Sequence, residues 1–365
     1  MSQNKKKILI SSGGTGGHMS PASALAAVLK ERGHEVELAT DIRGRKYENM
    51  FPDIPIHTLK AGTVGAGVLG KVKGVVNLFL GVLEAARLLK KFKPDCVIGF
   101  GGYPSVPSVF SAQMSNVPTG LHEQNATLGK ANLYLMKKAK FIGLSLPVPE
   151  KDFKQDMLSK VHITGNPVRP EIIALQDHVY PNFDDKTDLN IFVMGGSLGA
   201  TVFSEVVPKA LSVLKDELKQ RINVTQQCRD SDLESVREIY ADHNINHHLA
   251  SFFDDVAAEI KKAHLFIGRS GASTVAEINI AGRPAIYVPY PHHQDQQQKK
   301  NAQHVSDKGG AWIVTEDNFN ETSLKEQIEM MFDNPETLSR AAARAKDCGI
   351  PDAAEKLADL VLEIS

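Results

Sequence analysis

Short apolar runs alternate with longer amphipathic stretches along this chain, and the alternation starts twice. In the first half Lys7–Ser12, built around Ile8-Leu9-Ile10, reads as a strand. Pro21–Arg32 carries the spacing of a half-buried helix, and Gly33 supplies its stop. Glu35–Ala39, Cys96–Gly99, Val117–Leu121 and Phe141–Leu144 read as further strands. After a polar, turn-rich stretch the pattern begins again, with strands expected at Ile191–Met194, Ile222–Thr225, His248–Phe252, Leu265–Gly268 and Pro284–Val288. Helices fill the intervals, with further ones at Thr322–Phe332 and Leu338–Lys346. Strands alternating with helices predict an α/β protein of two doubly wound, Rossmann-like domains facing across a cleft. The expected bounds are 1–170 for the first domain, 171–188 for a linker and 189–351 for the second domain. An amphipathic helix over about 352–364 is expected to pack back on the first domain.

Each half opens with a strand, a glycine loop and a helix. Gly13-Gly14-Thr15-Gly16-Gly17-His18 follows the first strand, and Gly195-Gly196-Ser197-Leu198-Gly199-Ala200 follows its counterpart. Such loops offer free backbone N–H groups and the positive end of a helix dipole to an anion. The first is not a dinucleotide fingerprint, because Met19 stands where the last glycine belongs, and no Lys-Ser/Thr follows it as in a Walker loop. His18, at a helix start, suits a general base or a loop cap. Gly268–Glu277 is rich in small residues that let a ligand approach the backbone, and Glu277 is placed to accept from a ribose diol or simply to favour the helix dipole. His122-Glu123-Gln124-Asn125 follows a strand, Gly165–Arg169 lies at the domain junction, and Pro289–Gln298 is a loop made irregular by paired prolines, with amides after them.

Composition narrows the class. The 365 residues are 42% hydrophobic and 23% charged, with 42 Lys+Arg against 43 Asp+Glu, so no basic excess points to nucleic acid. The 3 cysteines lack metal or redox spacing and suit a reducing, cytoplasmic setting. Asp230-Ser231-Asp232 reads as helix capping, so neither a metal nor another cofactor is expected. The basic stretch before Ile8 leads into too short an apolar run for a signal sequence, and no run reaches the ~20 apolar residues of a membrane span.

Ala61–Lys93 departs from the pattern. Four glycines lead into an apolar series including Val75, Phe79 and Leu80, interleaved with or followed by Lys71, Lys73, Arg87 and Lys90. It fits a crossover helix with one buried face, and equally an interfacial patch whose apolar side chains enter lipid beside cations.

Taken together, Gly13–His18 with Pro21-Ala22, Phe100–Ser105, His122–Asn125, Thr164–Arg169, Gly195–Ala200, Arg269–Glu277 and Gln297–Ala302 resemble the GT-B glycosyltransferases. Within that superfamily they resemble the N-acetylglucosaminyltransferases of peptidoglycan synthesis. The resemblance implies an inverting, metal-independent hexosyltransferase at the cytoplasmic face of the cell membrane, with roles in cell-wall biogenesis, cell shape and division. It implies UDP-N-acetylglucosamine as donor and undecaprenyl-diphospho-muramoyl-pentapeptide as acceptor, with an anionic membrane surface and other cell-wall synthesis proteins as partners. Ser197 would meet the donor diphosphate and Glu277 the ribose. Ala272, Ser273, Thr274, Val275, Ala276 and Gln298 (or Gln297) would surround the donor, and Arg169 and the backbone of Phe253 would lie by the uracil. Thr15, Gly16, Gly17 and Asn125 would line the first-domain side near the transferred sugar. His18 is the first candidate for the base and Glu123 the second, while Lys71, Lys73, Val75, Phe79 and Leu80 become a membrane patch. Rival readings are a GT-B enzyme with another lipid acceptor, a UDP-N-acetylglucosamine 2-epimerase, and a non-catalytic nucleotide-sugar binding module.

Overall fold

The computed structural model describes residues 5–62, 67–184, 186–196, 199–292 and 295–365, and for 67–72 the backbone only. Ser197 and the side chain of Lys71 therefore lie outside the described residues. The chain divides into two compact units, Met1–Arg169 with Ile350–Ser365, and Pro170–Gly349.

Among the described residues the first unit holds seven parallel strands: β1 (Lys7–Ser11), β2 (Glu35–Thr40), β3 (Ile56–Thr58), β4 (Cys96–Gly99), β5 (Thr119–Glu123), β6 (Phe141–Leu144) and β7 (Val161–Ile163). Their order across the sheet is β3-β2-β1-β4-β5-β6-β7. The second unit has β8 (Leu189–Met194), β9 (Ile222–Gln227), β10 (Asn246–Ala250), β11 (Leu265–Gly268), β12 (Ala285–Tyr287) and β13 (Ala311–Ile313), in the order β10-β9-β8-β11-β12-β13. The same winding occurs twice. Each sheet grows outward from its first strand and then reverses, so the crevice at the strand ends opens between β1 and β4 in one unit and between β8 and β11 in the other.

The central strands are buried on both faces, which is why their sequences run apolar without alternation. Leu9 and Val97 join the layer formed by Leu88, Leu89 and Val109. Ile8, Ile10 and Ile98 join the opposite layer with Leu25, Leu29, Leu357 and Val361. Leu357 and Val361 belong to the last helix, Ala353–Glu363, which packs along helix Gly16–Glu31 and so completes the first unit.

Several sequence expectations shift. The first long helix opens at Gly16, not Pro21, with Thr15 extended before it. Two glycines are poor helix formers and hide this start, yet it puts His18 in the first turn. Strand β5 begins at Thr119 and runs to Glu123, because Pro118 has no N–H for the ladder. The short edge strands β3, β7 and β13 carry too little apolar pattern to be read. The expected linker is no free tether. Within 171–188, Ile172 is buried, Tyr180 donates its hydroxyl to the His264 carbonyl (2.8 Å) and Phe183 meets Phe332 edge-on at 5.5 Å. Three apolar anchors in a polar stretch attach it to the second unit.

Candidate active site

In the first unit, loops from the ends of β1, β4 and β5 converge. The β1 loop carries Thr15, Gly16 and Gly17 at its exposed or half-exposed rim. Gly14 has φ +56°, and a Cβ there would come within 3.0 Å of the Arg43 guanidinium, so the left-handed turn leaves room for a cation beside the loop. Arg43 is held by Asp41 at 2.7 Å. Arg43 was not singled out from sequence, since nothing local marks an arginine that folds back over a loop from the far end of β2.

His18 sits half-buried with its Nδ1 2.9 Å from Gln124 Oε1. Gln124 Nε2 lies 3.1 Å from His122 Nδ1, and His122 Nε2 lies 3.0 Å from the Gly165 carbonyl. Three stretches far apart in sequence are thereby joined. His122 is fully buried against Phe100 at 5.3 Å, and burial pushes its imidazole down to about 4, so it is neutral at physiological pH.

Glu123 occupies a different position from that expected of a base. Its carboxylate is buried and accepts from the Asn125 N–H (3.2 Å), the Gly129 N–H (2.8 Å), and the side-chain amides of Asn125 (3.4 Å) and Asn132 (2.9 Å). Four donors engage it in holding loop 123–129. Asn125 is half-buried at the edge of that loop.

In the second unit the β8 loop and the β11 loop flank the sheet reversal. Gly195 donates its N–H to Gln227 Oε1 (3.2 Å), and Gly199 N–H turns back to the Gly196 carbonyl (2.9 Å). Helix Thr201–Ser212 opens directly after; Phe203 donates its N–H to the Ala200 carbonyl (3.1 Å), while the N–H groups of Thr201 and Val202 before it have no intrahelical acceptor. Beyond β11, Gly271 is extended before helix Ala272–Ile280. Ser273, Thr274, Ala276 and Glu277 stand half-exposed there, whereas Ala272 and Val275 face the core, so the Val275 side chain is removed from the expected ligand contacts. The Phe253 ring is also buried, packed edge-on against Phe192 (5.7 Å) and His248 (5.5 Å), leaving its backbone as the available part.

Gln298 is partly occupied, because its Oε1 accepts from the Tyr290 N–H (2.9 Å) and its carbonyl from the Ser270 hydroxyl (2.9 Å). Gln297 opens helix Gln297–Ser306 beside it. Arg169 ends the first unit, half-buried, directly before Pro170. Among the described residues no cluster of three His, Cys, Asp or Glu side chains is arranged to hold a metal ion.

The 61–93 stretch resolves into helix Gly67–Phe92, which is a crossover and something more. Ala85, Leu88, Leu89 and Phe92 face the core. On the other side Val75 (67% exposed), Val76, Phe79 (62%) and Leu83 form an outward apolar stripe, with Lys73 exposed beside it and Leu80 half-buried. The helix packs against Val106–Met114, which in turn packs against Lys130–Leu135. These two helices expose Met114, Leu133 and Tyr134 among Lys130, Lys137 and Lys138. No helix among the described residues is long and apolar enough to cross a membrane.

Comparison with known proteins fits this architecture. The glycosyltransferase family 28 N-terminal domain matches residues 8–143, and the glycosyltransferase family 28 C-terminal domain matches residues 190–357. A Rhodospirillum centenum protein is 44% identical, covering 97% of this chain and 93% of its own length. It is named UDP-N-acetylglucosamine–N-acetylmuramyl-(pentapeptide) pyrophosphoryl-undecaprenol N-acetylglucosamine transferase. A Novosphingobium aromaticivorans protein of the same name is 43% identical over 99% of this chain and 93% of its own. Among solved structures, Acinetobacter baumannii MurG superposes with a TM-score of 0.80 at 28% identity, covering 98% of this chain and 99% of that one. The chain has the GT-B fold and belongs to glycosyltransferase family 28, one domain of the family falling on each half.

Proposed function

We propose that this protein transfers N-acetylglucosamine from UDP-N-acetylglucosamine to the C4 hydroxyl of a lipid-linked, diphospho-muramoyl-pentapeptide. The observation that carries the reading is the full-length match to transferases of that name, which takes in both units and every loop built above. The second unit takes the donor, with the β8 loop and its Ser197 on the diphosphate and Glu277 on the ribose. Ser273, Thr274, Ala276 and the free edge of Gln298 stand around the sugar, and the backbone at Phe253, with Arg169, lies by the base. The first unit takes the acceptor, and its Thr15, Gly16, Gly17 and Asn125 lie near the transferred sugar. Arg43 supplies a positive charge where the acceptor diphosphate approaches the β1 loop.

The chemistry is a direct displacement. The C4 hydroxyl gives its proton to His18 as its oxygen bonds the anomeric carbon, and the carbon–oxygen bond to UDP breaks with the electron pair leaving on the diphosphate. Attack from the face opposite UDP inverts the centre. Backbone donors and the helix N-terminus after β8 stabilise the leaving charge without a metal.

The outward stripe Val75, Val76, Phe79 and Leu83, with the Met114–Tyr134 surface and its lysines, serves as the peripheral contact with an anionic membrane at its cytoplasmic face. Incubation with labelled donor and a short-chain prenyl-diphospho-muramoyl-pentapeptide tests the whole reading. The expected product is the β-linked disaccharide lipid. Epimerised donor, or donor binding without transfer, would overturn it.

A further inference from the structure

We infer that Gln124 and His122 are positioning residues that hold His18 in its Nδ1–H tautomer and so present Nε2 as the proton acceptor. The inference deepens the proposed reaction and rests on His18 being its base. The argument runs inward from a group whose role is fixed. The Gly165 backbone carbonyl can only accept, and it lies 3.0 Å from His122 Nε2, so that nitrogen carries the proton. His122 is fully buried and neutral, which leaves a lone pair on Nδ1. A lone pair 3.1 Å from the Gln124 carboxamide requires the NH2 end to face it. The carboxamide oxygen is then turned to His18 Nδ1 at 2.9 Å. Because that oxygen cannot donate, His18 must hold its proton on Nδ1, and its own lone pair stands on Nε2.

The other edge of the ring is kept open. Gly101 and Gly102 of the β4 loop border it, and a Cβ at Gly102 would lie 3.4 Å from both Nε2 and Cδ2. Glycine there leaves the Nε2 edge uncovered for an acceptor hydroxyl. The proton count closes. The hydroxyl proton passes to Nε2, the imidazolium keeps Nδ1–H on Gln124, and the Nε2 proton later returns to solvent. The relay also links Gly13–His18, His122–Asn125 and Thr164–Arg169, three stretches far apart in sequence.

The tautomer is read directly by imidazole nitrogen NMR of the full-length protein labelled with ¹⁵N-histidine, independently of turnover. The parent is expected to show His18 protonated on Nδ1. Gln124→Leu should move the proton to Nε2 and lower kcat at least ~10-fold, with little change in acceptor KM, as loss of an orienting partner does elsewhere. Gln124→Glu keeps an oxygen facing Nδ1–H, so it should retain the tautomer and recover part of kcat. A parent spectrum with His18 protonated on Nε2 overturns the inference, and remains decisive if Gln124→Leu does not fold. A folded Gln124→Leu with parental tautomer and kcat overturns it equally. His18→Ala separates the two readings: parental turnover there, with an Nδ1–H parent spectrum, removes His18 as base while the tautomer assignment stands.

Discussion

Replacing Glu123 distinguishes a carboxylate that holds a loop from one that takes a proton. In Glu123→Ala the N–H groups of Asn125 and Gly129 and the amide of Asn132 all lose an ionised acceptor inside a buried site. A hydrogen bond to a charged group contributes about 1.5–3 kcal/mol, but the bonds are not additive and water will satisfy part of the loss. A net destabilisation of ~2–4 kcal/mol follows, confined to the first unit. For a domain of this size each kcal/mol lowers Tm by roughly 2–4 °C, so the first unit should melt about 4–16 °C earlier. Glu123→Gln should fall between parent and alanine, because its NH2 end turns one edge of the site into donors facing donors. Differential scanning calorimetry measures the shift, and amide hydrogen exchange at Asn125 and Gly129 should quicken while β8 and β11 keep their protection. Turnover should fall only as far as the loop carrying Gln124 and Asn125 is displaced. The reasoning is refuted if Glu123→Gln keeps the parental Tm and exchange pattern yet loses ~10²–10⁴ in kcat, the usual worth of positioned proton transfer.

Glu277→Ala should weaken UDP-N-acetylglucosamine by ~1–3 kcal/mol in calorimetric titration; an equal loss for a donor lacking ribose hydroxyls would mean that Glu277 supports its helix instead. Val75→Ser with Phe79→Ser, or Lys73→Glu, should reduce sedimentation with anionic vesicles while donor binding is kept, and parental sedimentation would show the stripe to be idle surface. His122 should make the protein acid-sensitive. Its folded value of about 4 lies below the ordinary histidine value of 6.5, so the unfolded chain binds more protons between those limits. Stability is fully present above about pH 6.5 and falls as pH drops toward 4, by roughly 3 kcal/mol from this residue. Denaturant melts across that range should show a shallower fall in His122→Asn; His34, His264 and His304, which burial shifts in the same direction, contribute to what remains.

The sequence by itself determined the plan of the molecule. Buried parallel strands must be apolar at nearly every position, and a chain that turns at their ends needs glycine, so Ile8-Leu9-Ile10 before Gly13–His18 and Ile191–Met194 before Gly195–Ala200 announced two wound sheets. Periodicity also exposed the last helix, because Leu357, Ala358 and Val361 recur at helical spacing. The sequence could not say what each polar residue faces, because a side chain's partner is set by neighbours that arrive from other loops. Glu123 and His18 looked like alternative bases; only the fold placed one in a ring of donors and left the other an open edge. Val75 and Ala85 are equally apolar in sequence, and packing alone decided that the first faces outward and the second inward. Val275 was read as a ligand contact because it lies in a motif, and the pitch of its helix turned it to the core. Gln124, unremarkable in the chain, gains its role from a carbonyl more than 40 residues away, a juxtaposition that only the folded sheet could make.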